Sequence, residues 1–313
     1  MTILEDEIAS CLQLAMLLEI SAYPKPGNVH RTRDFSETRF EHFLASSASL
    51  GSTYRWAAHR GILISKGILN FDDARLGKAI RLGVENMMRW QKGGNTSLGT
   101  ILLLTPIATS AALTLISGKL EMKTLRVNLI KLLQSATHID SLDVYKAISR
   151  ASPGGIGSSD ELDVMSPESL DHIEKNHVGL LRTFKISARR DSIASEWISG
   201  YRTTFEIGYP YFARALDDGL DINTATVNTF LKILSTVPDT LIARKVGIKK
   251  TRYVSARARE CLNAGGLATR KGFRLVNRLD QDLRTPNHEL NPGTTADLVS
   301  AALALTLLQG LRP

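Results

Sequence analysis

Cysteine is scarce: Cys11 and Cys261 are the only two in 313 residues. With no CxxC pair and no Cys/His cluster, neither a disulfide framework nor a structural zinc site has ligands to build from. A chain this long does not need them, because it can bury a substantial apolar core. Strand signals are also sparse. Alternating β-branched runs bounded by Asn-Gly or Asp-Gly hardly occur, which argues against a doubly wound sheet. No GxxxxGK[ST] loop is present, and Gly155-Ile156-Gly157 reaches Asp160 where a dinucleotide fingerprint needs another glycine. There is no HExxH pair and no GxSxG elbow among the candidate motifs.

Charge is missing from one long stretch. Between Lys92 and Lys119 there is none, a length that would cross a membrane. Pro106 and many Thr, Ser and Gly residues dilute the run, and no second segment could partner it, so a buried helix and no membrane contact are expected. The start, MTILEDEIAS, has acids where an export signal has a basic patch. A cytoplasmic, reducing location is therefore expected.

Helical periodicity is what the chain has in quantity. Leu4, Ile8, Cys11, Ala15 and Leu18 step by four and three, as do Leu76, Ile80, Gly83 and Met87, and Val227, Phe230, Leu234 and Val237. The expected fold is all-α, a single multi-helical domain over residues 1–313. A homodimer is the default assembly only because two-fold pairs are common.

The formal charge of +8 is concentrated. From Arg244 to Arg284 twelve Lys/Arg face Glu260, Asp280 and Asp282, so this region attracts anions. A basic solvated face is the plainer reading of the same run. Nucleic acid is disfavoured as the partner, because only Tyr253 and Phe273 interleave the charges.

Gly-rich turns separate the helices: Pro24–Asn28, Gly93–Ser97, Pro153–Gly157 and Asn291–Thr295. The last three lead into apparent helix starts, and Ser158/Glu161 and Thr294/Asp297 have capping-box spacing. Free N–H groups at such starts favour anions, although a glycine that merely ends the preceding helix would look the same. Carboxylates stand beside the turns: Asp160, Asp163, Asp191, Asp239 and Asp297. A bound triphosphate brings Mg²⁺, which takes one or two protein carboxylates, so Asp160, Asp191, Asp239 and Asp297 are candidate ligands. Asp297 also suits a first-turn structural acid, whereas Asp191 and Asp239 lack that excuse and rank as the catalytic pair.

Six segments, in order, resemble one family. Lys25-Pro26-Gly27 is similar to the KPG signature of the triphosphoribosyl-dephospho-CoA synthases, and Gly94-Asn95-Thr96 with Gly99 to their GxNTHKG segment. Asp143–Ile148, running on to Pro153–Gly157, resembles their D..VY.AI…PGGLG stretch. Arg190–Ala194 resembles their RDxIA helix, Asp239-Thr240 their DTN, and Asn291–Leu298 their SPGGSADLL close. The chain departs at Ser97-Leu98, where the family has His-Lys, at Leu241 in place of the Asn of DTN, and at His30 in place of an Asp.

The resemblance implies an all-helical enzyme that moves the triphosphoribosyl group of ATP onto the 2′-hydroxyl of dephospho-CoA, releasing adenine. Positive charge then develops at the ribose while the hydroxyl loses a proton, and a carboxylate could serve either need. Lys25, Gly27, Asn28, Asn95, Thr96, Gly154, Gly155, Arg190, Thr240, Arg244, Asn291, Gly293 and Thr294 would hold the nucleotide and its phosphates, together with Mg²⁺. Two other readings stay open: a nucleotide-dependent enzyme of another coenzyme pathway on the same scaffold, and a basic nucleic-acid-binding protein.

Overall fold

The computed structural model describes residues 3–116, 118–154, 162–164 and 166–313. Among the described residues no strand forms; the one β-type contact is a bridge between His30 and Arg33. The all-α expectation holds. The chain divides into two compact units, each assembled from three stretches: residues 1–14, 45–189 and 193–201 in the first, and 15–44, 190–192 and 202–313 in the second.

The first unit is organised around the uncharged stretch. It forms α5 (Leu98–Leu115), with 83% of its residues buried, so its apolar length faces protein. Helices α3 (Gly51–Ser65), α4 (Leu76–Trp90) and α6 (Met122–Ser135) pack on it. At the α3–α5 crossing, a Cβ on Gly61 would lie 2.1 Å from the Thr109 carbonyl oxygen, so only glycine lets the two backbones meet. The buried hydroxyls that dilute the run have partners: Thr109 donates to the Ala57 carbonyl at 3.0 Å and Ser110 to that of Leu125 at 2.7 Å.

Pro106 lies inside α5, where its missing N–H leaves the Leu102 carbonyl without a helical donor. That carbonyl accepts from the Trp197 indole at 3.2 Å and the Tyr201 hydroxyl at 3.3 Å, and Tyr201 also reaches the Leu103 carbonyl at 3.0 Å. Both aromatic rings are essentially fully buried. The stripe Leu76, Ile80, Gly83 and Met87 is buried as its spacing predicts. Helix α7 (His138–Ala151) packs on α4 and opens with a capping box between Thr137 and Asp140. Helices α8 (Pro167–Lys175) and α9 (Leu180–Ser187) complete this part of the chain.

The second unit contains α11 (Tyr209–Asp217), α12 (Ile222–Thr236), α13 (Thr240–Val246), α14 (Ile248–Asn263), α15 (Arg270–Leu283) and α16 (Gly293–Leu308). Its core is the buried stripe of α12, Val227, Phe230 and Leu234, against α14, α16 and α11. Asp221 starts α12 by accepting from the Asn223 and Thr224 amides. Three helices run from one unit's residues into the other's: α1 (Ile3–Ser21), α2 (Phe40–Ser49) and α10 (Ser192–Ser199).

Candidate functional site

Four of the six singled-out segments meet within the second unit, tied by side-chain bonds at helix starts. Asp239 is the N-cap of α13: its Oδ1 accepts from the Leu241 amide at 2.9 Å and the Ile242 amide at 3.2 Å. Its Oδ2 accepts from the Thr295 amide at 2.7 Å and hydroxyl at 2.8 Å. One carboxylate thus starts α13 and caps the first turn of α16. Burial raises its pKa, and the bonds from Thr295, Ile242 and Leu241 oppose that rise. Four accepted bonds fill the lone pairs, so in this conformation Asp239 is a fastener rather than a base or a metal ligand.

That corrects the ranking of acids drawn from sequence. Asp239 has the capping role that it was thought to lack. The Thr294/Asp297 capping box does not form, because the N-cap of α16 is Pro292, which has no side-chain acceptor. The cap is supplied instead by Asp239, 56 residues away in the chain.

Thr240 extends the junction. Its hydroxyl accepts from the Ser192 amide at 3.0 Å and lies 3.4 Å from the Thr294 hydroxyl. Arg244, one turn along α13, reaches the Asp191 carboxylate at 2.7 Å and the Arg190 carbonyl at 3.4 Å. The Asp191 side chain is 29% exposed, so this pair borders solvent. Asp191, Thr240, Arg244 and Thr294 lie together in the second unit.

The Lys25-Pro26-Gly27 turn has a different character. Lys25 is fully buried and paired with Glu19, donating to both its carboxylate and its main-chain carbonyl. Burial pulls the Lys25 pKa down, opposed by Glu19 and by the nearby Asp297; burial raises that of Glu19, opposed by Lys25. In this conformation the lysine is held by the protein itself. The Gly27 amide donates to Asp280 at 2.9 Å, so it too is engaged. At Gly27, φ is +68° and a Cβ would meet that of Leu283 at 2.7 Å, which accounts for the glycine.

Arg284 clamps the same turn, donating to the Asn28 carbonyl at 2.8 Å and pairing with Asp280 at 3.0 Å. His30 lies 3.0 Å from Arg284 and 3.6 Å from Asp280. The Asn28 amide reaches the Pro292 carbonyl at 3.5 Å, joining the turn to the start of α16. Burial alone would raise the Asp280 pKa, but the bonds from His30, Arg284 and the Gly27 amide hold it below the usual carboxylate range.

Asn95 and Thr96 belong to the first unit. There the Asn95 side-chain oxygen accepts from the Leu98 amide at the start of α5 at 3.0 Å, and the Thr96 hydroxyl lies 2.7 Å from that of Ser46. Gln91 braces the loop, donating to the Gly94 carbonyl at 2.7 Å and accepting from the Gly93 amide at 2.5 Å. Gly154 sits in a turn after α7, while Gly155, Ser158, Asp160 and Glu161 lie outside the described residues. No group of three or more metal-binding side chains occurs among the described residues.

Glu19, Asp280 and Arg284 were missed from sequence. The signal was present: Glu19 follows Ala15 by four on the buried face of α1, and Asp280 follows Val276 by four on that of α15. An acid on an apolar stripe needs a partner, and each has one.

Comparison with known proteins gives one consistent result. The family model described as ATP:dephospho-CoA triphosphoribosyl transferase matches residues 5–313. A Pseudomonas fluorescens Pf-5 protein named "Probable 2-(5''-triphosphoribosyl)-3'-dephosphocoenzyme-A synthase" is 26% identical over 311 residues, 98% of this chain and 92% of that protein. A protein of the same enzyme name from Escherichia fergusonii is 30% identical over 108 residues, 34% of this chain and 35% of its own. A crystal structure from Archaeoglobus fulgidus, assigned as a triphosphoribosyl-dephospho-CoA synthase, aligns with a TM-score of 0.62 at 22% identity. It covers 88% of this chain and 100% of that one, and it shows the fold.

Proposed function

The chain belongs to the ATP:dephospho-CoA triphosphoribosyl transferase family, and we propose on that premise that it transfers the triphosphoribosyl group of ATP to the 2′-hydroxyl of 3′-dephospho-CoA. The bond from C1′ of the ATP ribose to adenine breaks, and a bond from C1′ to the acceptor oxygen forms. The acceptor hydroxyl gives its proton to a base, adenine leaves with the glycosidic electron pair and takes up a proton at that nitrogen, and the triphosphate stays on the product.

The observation that supports this reading is the junction of Asp191, Thr240, Arg244 and Thr294 at the starts of α10, α13 and α16. A corner that carries the Arg244 guanidinium beside the Thr240 and Thr294 hydroxyls suits a polyphosphate. Asp191 is the acid best placed to take the hydroxyl proton, being partly open to solvent where Asp239 is sealed. Arg244 brings positive charge beside it, Asn28 and Asn291 lie on the adjoining turns, and Gly293 opens α16.

Magnesium fits with fewer ligands than the sequence suggested. Asp239 has no lone pair to spare, which leaves Asp191 and Asp297 among the described candidates, and one or two carboxylates suffice for Mg²⁺ bound with a triphosphate. When bound, the ion would neutralise phosphate charge. Lys25 would act by fixing the turn unless it parts from Glu19. We take residues 1–313 as one functional domain, since the family match spans nearly all of them, and place it in the cytoplasm with reduced Cys11 and Cys261.

The test is chromatographic detection of free adenine from ATP, with and without dephospho-CoA and Mg²⁺. Adenine release that requires both is expected. None with any nucleotide acceptor removes the assignment.

A further inference from the structure

Nine buried side-chain atoms have no hydrogen-bond partner among the described residues, and three of them fall in two linked residues of the second unit. They are both ring nitrogens of His288 and Oδ1 of Asn291. The two residues are connected. The Asn291 amide donates to the His288 carbonyl at 3.3 Å, and Lys245, next to Arg244 on α13, donates to that carbonyl at 3.3 Å. The position of a Cβ on Gly293 lies 2.8 Å from the Leu241 side chain of α13 and 3.7 Å from Nδ2 of Asn291. Phe35 stacks on His288 at 3.8 Å and 17°, which fixes the plane in which its nitrogens point.

Leaving buried polar atoms unpaired is costly, so a cluster of them calls for a partner that the protein alone does not supply. Its chemistry follows from the set. Asn291 Oδ1 only accepts, while a neutral His288 offers one donor and one acceptor. Burial, Lys245 and Arg284 lower the His288 pKa, with Glu37 opposing, which favours the neutral ring. A phosphate ester presents acceptors alone and would leave Asn291 unmatched. Adenine presents an amino donor beside a ring-nitrogen acceptor, an edge that an asparagine side chain can pair with.

We propose that Asn291 and His288 form the subsite that reads the adenine edge of the nucleotide, with the half-buried Phe35, flanked by exposed residues, yielding as the base enters. This deepens the transfer reading and rests on it for the identity of the substrate. Asn291 thereby becomes a specificity residue for the base, and His288 joins the site.

The experiment compares ATP, inosine triphosphate, whose oxo group replaces the amino donor, and 2′-deoxy-ATP. Binding is measured by calorimetry on wild type, Asn291→Leu and His288→Phe, with melting temperatures for each. Wild type should prefer ATP to inosine triphosphate by about tenfold to a hundredfold. Asn291→Leu should erase that preference while melting no lower than wild type, because it removes an unpaired buried atom. Overturning results are equal binding of the two nucleotides by wild type, or a preference that survives Asn291→Leu. Loss of discrimination against 2′-deoxy-ATP instead would assign the residue to the ribose and reject the base assignment. These readouts do not depend on turnover, so absent adenine release would remove the transfer reading and leave this one standing.

Discussion

At the scale of single residues, two aspartates that look alike in sequence separate by the bonds they accept. Asp239 is sealed and holds four donors, so Asp239→Ala should destabilise the protein by about 2–4 kcal/mol, the sum of a lost cap and unpaired amides. Calorimetric melting checks this; an unchanged melting temperature would return Asp239 to the catalytic candidates. Asp191 shares a partly exposed ion pair, so Asp191→Asn should cost ~1 kcal/mol or less in stability while adenine release falls by at least about a hundredfold. A variant that melts far below wild type would make the Asp191–Arg244 pair structural. The roles were only half legible beforehand. Asp is a favoured cap residue, yet the short run after Asp239 gives no clear helix start, and nothing in the local pattern says that Asp239 also serves Thr295, 56 positions on. Lys25 was equally opaque: a lysine beside a Pro-Gly turn reads as an anion ligand, and only the fold reveals Glu19 against it.

At the scale of elements, the helices were readable because their apolar residues recur at the helical period, and α1, α4 and α12 lie where the stripes place them. Less readable was what each helix does for a distant turn. The inner face of α15 carries Asp280, which with Arg284 holds the Lys25-Pro26-Gly27 turn. Because the Asp280 pKa lies below its ordinary 3.8, its contribution is present above that value and fades as pH falls through the lower folded value. Asp280→Asn should therefore lower stability at pH 7 by about 1–3 kcal/mol, and the gap from wild type should close in strong acid. Thermal melts of both proteins from pH 7 to pH 2 measure it, and a gap independent of pH would contradict the charge-based account. Beneath α5, Trp197→Phe on α10 removes the donor to the Leu102 carbonyl together with part of the buried indole, for an expected loss of about 1–3 kcal/mol. Chemical denaturation reads this directly, and no loss would mean that Tyr201 alone suffices.

On the scale of the whole molecule, the all-α class and the buried nature of the uncharged stretch could be read from the chain, whereas its division into two interleaved units could not. Contact between residues hundreds of positions apart leaves no periodic trace. The second unit depends on such contacts: Tyr23 exchanges hydrogen bonds with Asn223 at 2.9 and 2.7 Å, Gly27 donates to Asp280, and Asn28 donates to Pro292. A fragment of residues 202–313 therefore lacks the strand of chain that ties α12, α15 and the start of α16, and should show no cooperative melt. Cooperative unfolding of that fragment by circular dichroism would show that the early turn is dispensable. Finally, Pro106 gives the order of synthesis a cost. The ribosome releases this proline about 90 residues before the aromatic pair that satisfies Leu102, a delay of about 5–20 s at ordinary elongation rates. Through that interval the uncharged stretch lacks the two donors that its Leu102 carbonyl receives in the folded protein, so α5 reaches its final bonding only after Tyr201 has been made.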